Sequence, residues 1–152
     1  MASFDVTSLY TNIPLHETID IISNLAFENN NIFHGYTKDL FKKLLEITLL
    51  DSCFIFNNKL YSQIDGLAMG SPVAPVLANI FLAYYEQRWL QSCPQEFKPL
   101  LYRRYVDDTF LIFNDKSLID QFLQYLNNKH SNIKFTRDLE QNNKLPFLDI
   151  LV

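Results

Sequence analysis

Apolar and polar positions alternate along the chain in two rhythms, one of period two and one near 3.6. Phe4 to Tyr10 reads as a strand running into a turn at Thr11-Asn12, and Pro14 sits near the start of a helix. Ile19, Ile22 and Ala26 share one helical face, with Ile21 and Leu25 beside them. Thr37 is an N-cap candidate for a second helix that has Asp39 in its first turn and carries Leu40, Phe41, Leu44, Leu45 and Ile47. Cys53 to Gln63 then reads as a hairpin turning at Asn57-Asn58, residues that tolerate positive φ. A stretch marked by glycine and proline, Gly66 to Pro75, leads into an apolar helix from about Val76 to Trp89.

The last third opens with two hydrophobic runs, LLYRRYV and TFLIF, joined at Asp107-Asp108. A helix from Ser117 to Asn127 and a final hairpin of IKFTRDL with LPFLDILV complete the pattern. Strands alternate with helices, yet several strand pairs are tight hairpins. The expectation is an α+β domain over residues 1–152, an antiparallel sheet with helices packed on one face. Because the first strand starts within a few residues of Met1, the chain reads as a piece of a longer protein.

Composition narrows the function. At 152 residues and 48% hydrophobic, the chain can bury a core. Its 13 basic and 17 acidic side chains give a net charge of −4, which argues against a non-specific nucleic-acid coat protein. Cys53 and Cys93 are too few for a disulfide scaffold, so a reduced, intracellular setting is expected. The N-terminus has no signal-peptide pattern, and no run of 18 apolar residues predicts a membrane span.

Candidate chemistry lies in the carboxylates. Asp107 and Asp108 fall between two strand-length runs; at a hairpin tip both can reach one volume, although a plain surface turn uses the same residues. Asp5 lies near the start of the first strand. One carboxylate from a strand and one or two from a neighbouring hairpin can hold two divalent ions about 3.5–4 Å apart. Hard oxygen donors suit Mg²⁺. Zinc is not expected, because His16, His34 and His130 are scattered without zinc-ligand spacing.

Three blocks in fixed order, FDVTSLYTNIP (4–14), GLAMGSPVAPVLANIF (66–81) and YRRYVDDTFLIF (102–113), resemble palm motifs A, B and C of reverse transcriptases. With KFT (134–136) and LPFLDILV (145–152) downstream, the wording is most similar to Penelope-like retroelements, relatives of telomerase. The resemblance implies a polymerase palm with a ferredoxin-like core, two Mg²⁺ ions for which Mn²⁺ could substitute, and RNA template, DNA primer and dNTP as partners. It implies that Asp5, Asp107 and Asp108, with the Val6 carbonyl, hold the ions. Tyr10 stands where the family has an aromatic steric gate against the 2′-hydroxyl; its alternative is a core aromatic.

Met69, Gly70, Ala74 and Pro75 match the motif that seats the nascent base pair, with Met69 in place of the usual Gln and Ala74 in place of the usual Ser. Arg104 is a candidate for primer or template phosphate, equally readable as a solvated strand residue, and Tyr105 of the YVDD box belongs to the same substrate set. Lys134 is the candidate to protonate the leaving pyrophosphate, with Lys129 second. LPFLDILV resembles the hairpin that grips the primer end, or is plain sheet packing. The resemblance further implies an intracellular, nuclear or cytoplasmic protein. Fingers and thumb segments are expected in the parent protein and not in this piece, which is therefore expected to be weakly active or inactive alone. The rival readings are a non-catalytic palm-like transposon remnant or binding module, and an RNA-templated RNA polymerase using the same carboxylates.

Overall fold

The structure is a computed structural model and describes residues 1–29, 32–49, 53–68 and 70–152. In chain order it runs β1 (Ala2–Val6), α1 (Leu9–Asn12), α2 (Leu15–Ala26), β2 (Ile32–Phe33), β3 (Tyr36–Thr37) and α3 (Lys38–Leu49). Next come β4 (Cys53–Phe56), β5 (Lys59–Ser62), α4 (Ala74–Gln91), β6 (Leu101–Tyr105) and β7 (Asp108–Ile112). The chain ends with α5 (Ser117–Asn127), β8 (Phe135–Leu139), β9 (Pro146–Phe147) and β10 (Ile150–Leu151). Two compact units result, one made of Met1–Leu9 with Tyr85–Val152 and the other of Tyr10–Tyr84.

The first unit holds a four-stranded antiparallel sheet in the order β6-β7-β1-β8. Helices separate β1 from β6 and β7 from β8, so the strands follow the β-α-β-β-α-β order of a ferredoxin-like fold, with β1 paired on both sides. Strand alternation splits β1 cleanly. Ala2, Phe4 and Val6 are buried on one face, while Ser3 and Asp5 belong to the other. Ile119, Phe122 and Leu126 give α5 a buried stripe, and the Phe122 ring lies 6.1 Å from that of Phe4. Asp115 Oδ1 accepts from the Ser117 N–H at 2.8 Å and so satisfies a donor at the start of α5.

In the second unit, Leu15, Ile19 and Ile21 are buried along α2, and α3 meets α2 through the Phe27–Phe41 ring pair at 5.6 Å. Lys42 donates to Asp20 at 2.6 Å across the same pair of helices. Much of the apolar pattern stays outside: Leu40, Leu44 and Ile47 of α3 and Phe54, Ile55, Phe56 and Leu60 of the β4–β5 hairpin are exposed.

Two expectations are corrected. The first strand ends at Val6, not Tyr10: Ser8 takes a positive φ of 48° and Tyr10 enters the single helical turn α1. IKFTRDL does not pair with LPFLDILV; β8 joins β1, while Leu145 to Val152 folds back on itself through β9 and β10. Central β1 offers β8 a full ladder, which the short C-terminal strands cannot.

Candidate active site

Acidic residues about a hundred positions apart in the sequence meet within the sheet. Asp5 and Asp108 are direct register partners between β1 and β7. Such partners share a face with Cβ atoms roughly 4.5–5.5 Å apart, and like charges placed there oppose pairing. A sheet optimised for stability alone would avoid this placement. Asp107 occupies the second position of the two-residue turn between β6 and β7, so the tip is Val106-Asp107 and Asp108 opens the strand. The Val6 N–H donates to the Asp107 carbonyl at 3.2 Å and ties the tip to β1.

The electrostatics follow from this crowding. Partial burial, then the charges of Asp107, Asp108 and Asp138, raise the Asp5 pKa above its ordinary 3.8. Asp108 is raised from 3.8 by partial burial and by the charges of Asp107 and Asp149. Raised carboxylates with named like-charge neighbours mark a site that favours a cation. Among the described residues, however, no three His, Cys, Asp or Glu side chains are grouped to hold a metal ion by themselves. The donors nearest one another there are carboxylate oxygens, the hard type that Mg²⁺ takes along with water and phosphate.

Asp138 and Asp149 were not among the sequence candidates. Asp138 pairs in register with Ser3, which puts it on the Asp5 face; Asp149 sits at the β9–β10 turn with a positive φ of 61°. Both line a cleft of about 550 Å³ together with Ser3, Asp108, Pro146, Phe147 and Leu151. The Phe147 ring lies 5.4 Å from Phe110, so LPFLDILV packs on the carboxylate face of the sheet. Asp138 could have been read from the period-two alternation of KFTRDL only once its pairing with β1 was known.

Two sequence candidates point elsewhere. Arg104 alternates onto the helix-covered face, where its Nε donates to Glu86 Oε1 of α4 at 2.6 Å with only 8% of its side chain exposed. It is neither solvated nor directed to the carboxylate face; Arg103 and Tyr105 are the neighbours on that face, and both are exposed. The Lys134 ammonium donates to the carbonyls of Asn127 and His130 at 2.6 and 3.0 Å. A cation there complements the carbonyl end of α5, the helix after which Lys134 follows in the chain. Lys129, the second candidate, lies 4.2 Å from the centre of the Tyr125 ring.

In the other unit, Tyr10 lines a cleft of about 270 Å³ with Gly70, Ser71, Ala74 and Pro75. Two sequence blocks some sixty positions apart thus converge. The Leu67 N–H donates to the Tyr10 carbonyl at 2.7 Å, and Asp65 Oδ1 accepts from Leu15 at 2.9 Å and Gly66 at 2.8 Å, which holds this loop to the start of α2. Pro75 lies in the first turn of α4, where its missing N–H is harmless. Met69 lies outside the described residues.

The sheet thus sets Asp5 opposite Asp108, with Asp107 in the adjoining two-residue turn. The chain belongs to the reverse transcriptase (RNA-dependent DNA polymerase) family, whose sequence model matches residues 1–140. No curated protein matches it in sequence.

Among solved structures it is similar to apo telomerase from Candida tropicalis, truncated from its C-terminal domain, with TM-score 0.70 and 15% identity over 99% of this chain. It is also similar to telomerase from Candida albicans in complex with a fragment of telomeric RNA, with TM-score 0.67 and 12% identity over 97% of this chain. At such identities the likeness is one of fold. The chain spans 33% and 29% of those two proteins. Among the described residues no helix is long and apolar enough to cross a membrane.

Proposed function

We propose that this chain is the palm of an RNA-directed DNA polymerase from a Penelope-like retroelement, acting in the nucleus on a DNA primer and RNA template. The reaction is attack of a primer 3′-hydroxyl on the α-phosphate of a dNTP, with pyrophosphate leaving. The observation that carries the reading is the register pairing of Asp5 with Asp108 beside the Asp107 turn. Asp5, Asp107 and Asp108, with the Val6 carbonyl, would hold two Mg²⁺ ions, which when bound activate the attacking oxygen and neutralise charge on the leaving group.

The chain's own residues supply position, which is most of what phosphoryl transfer asks of a protein. Tyr105 and Arg103, exposed on the carboxylate face, would meet primer or template. The β9–β10 hairpin seats the primer end beside Asp108. Tyr10 would carry the sugar discrimination, while Gly70, Ala74 and Pro75, which line the same cleft, would seat the nascent base pair. The assignment to Penelope-like elements rests on the Met69-Gly70 pair and on the wording of LPFLDILV.

The test is divalent-ion binding by the 152-residue chain, followed by Mn²⁺ paramagnetic resonance and competition with Mg²⁺. Binding should vanish in the Asp107→Asn, Asp108→Asn double variant, and so should any dNTP addition to a primer annealed to RNA. Equal binding by wild type and double variant would reject the reading.

A further inference from the structure

Arg104, turned away from the carboxylates, reaches their support by another route. Its Nη1 donates to the Val106 carbonyl at 2.9 Å, while its Nε is held by Glu86. Val106 has a φ of 56°, a left-handed conformation that a β-branched residue adopts only under constraint. The next carbonyl, that of Asp107, accepts the Val6 N–H. Both peptide groups flanking the Asp107 Cα are therefore fastened, one to the Arg104 guanidinium and one to β1.

Glu86 fixes the direction of that guanidinium. Its Oε1 accepts both Arg104 Nε and the Tyr102 hydroxyl at 2.6 Å, and its side chain is 11% exposed. Because the guanidinium is planar and rigid, setting the Nε direction also sets that of Nη1. Glu86 is the lone acidic residue in the apolar stretch from Val76 to Trp89. A buried ion pair is weak evidence for stability, since apolar residues of similar volume often serve as well or better. Its placement calls for another role.

We propose that Glu86, Arg104 and Tyr102 form a positioning network that holds the strained Val106-Asp107 turn in the geometry needed to present Asp107 and Asp108 to divalent ions. The proposal rests on the polymerase reading for its metal and on the hydrogen bonds alone for its mechanical part. Two variants separate positioning from structure. Arg104→Lys keeps the charge, but a single ammonium cannot reproduce the fixed fork that joins Glu86 to Val106. The triple variant Tyr102→Phe, Glu86→Leu, Arg104→Met replaces the network by apolar groups and leaves no buried charge unpaired.

Two readouts apply to both variants after circular dichroism and a thermal melt have established their folding. Amide hydrogen exchange should show faster exchange at Val6 while Phe4 and Leu111 remain protected. Mn²⁺ affinity should fall about tenfold, equivalent to about 1.4 kcal/mol. Unchanged Val6 exchange and unchanged Mn²⁺ affinity in a folded variant would overturn the proposal. If the triple variant does not fold, Arg104→Lys decides alone. If wild type binds no Mn²⁺, the polymerase reading falls by itself, while the Val6 exchange still decides whether the network holds the turn.

Discussion

Gly66→Ala should be distinctly more damaging than Gly70→Ala, and the difference isolates one backbone contact. Both glycines have positive φ, 85° and 93°, so alanine at either site pays for a left-handed conformation, about 1–2 kcal/mol. Their surroundings differ. A Cβ on Gly66 would stand 2.6 Å from the Thr11 carbonyl oxygen and 2.9 Å from its Cα, whereas a Cβ on Gly70 meets nothing within 4 Å. Backbone cannot swing aside like the end of a lysine, so the Thr11 segment must move; overpacking of this kind adds about 1–3 kcal/mol.

The expected losses are therefore about 2–5 kcal/mol for Gly66→Ala and about 1–2 kcal/mol for Gly70→Ala. Urea unfolding followed by circular dichroism measures both, with stability read from the midpoint at constant slope. Equal losses, or a smaller loss at Gly66, would refute the close approach of residues 66 and 11. The same strain should reach Tyr10, the residue before Thr11, through the Leu67–Tyr10 hydrogen bond. A residual fold with faster amide exchange at Leu67, whose N–H donates to the Tyr10 carbonyl, is the expected signature of Gly66→Ala.

Two further outcomes are expected. Raised carboxylate pKa values mean that the stability contributed by Asp5 is fully present below its ordinary 3.8 and is lost as pH rises through the raised value. Asp5→Asn should thus stabilise the ion-free chain at pH about 7, by under about 1 kcal/mol because these groups are largely solvated, and the gain should shrink toward pH about 4. Urea midpoints at the two pH values check it, and a gain that grows on acidification would contradict the assigned direction. Under the polymerase reading, Tyr10→Ala should admit ribonucleotides in single-nucleotide addition to a primer on RNA; unchanged sugar selection would remove Tyr10 from that role.

Local signals in the sequence carried the elements whose stability is local. Ser117 to Asn127 forms a helix over the expected span because Ile119, Phe122 and Leu126 follow one face. Asn57 and Asn58 turn their hairpin with φ of 49° and 56°, as their tolerance of that region suggests. Pairing of distant strands had no such signal. Nothing within KFTRDL tells whether its partner is the nearby C-terminal segment or β1, and it is β1. Asp107 and Asp108 stood out in the sequence by their place between two apolar runs, and Asp5 by resemblance alone. Facing did not: LYRRY has no alternation of apolar and polar residues, so the sequence could not show that Arg103 and Arg104 lie on opposite faces of β6. The partners of Lys134 were hidden for a related reason, since the carbonyls that hold its ammonium lie at and just beyond the end of α5.

The core and the candidate site are linked through register. Phe4 and Val6 favour one face of β1 strongly, each contributing about 1.5–3 kcal/mol by burial, and they can be buried only if Asp5 takes the opposite face. A slip of one residue against β7 would drive Asp5 among Leu111, Phe122 and the other apolar side chains and bring Phe4 to the open face. The penalty for that slip far exceeds the repulsion between two largely solvated carboxylates. Apolar packing on the far side of the sheet therefore fixes the register, and the register sets Asp5 opposite Asp108 against their mutual repulsion. The same logic assigns opposite fates to adjacent arginines on β6. Arg103 remains with the open face, while Arg104 must enter the layer beneath, where only a buried acceptor such as Glu86 makes a guanidinium tolerable. The tension at the acidic turn is thus carried by a layer in which the carboxylates take no part.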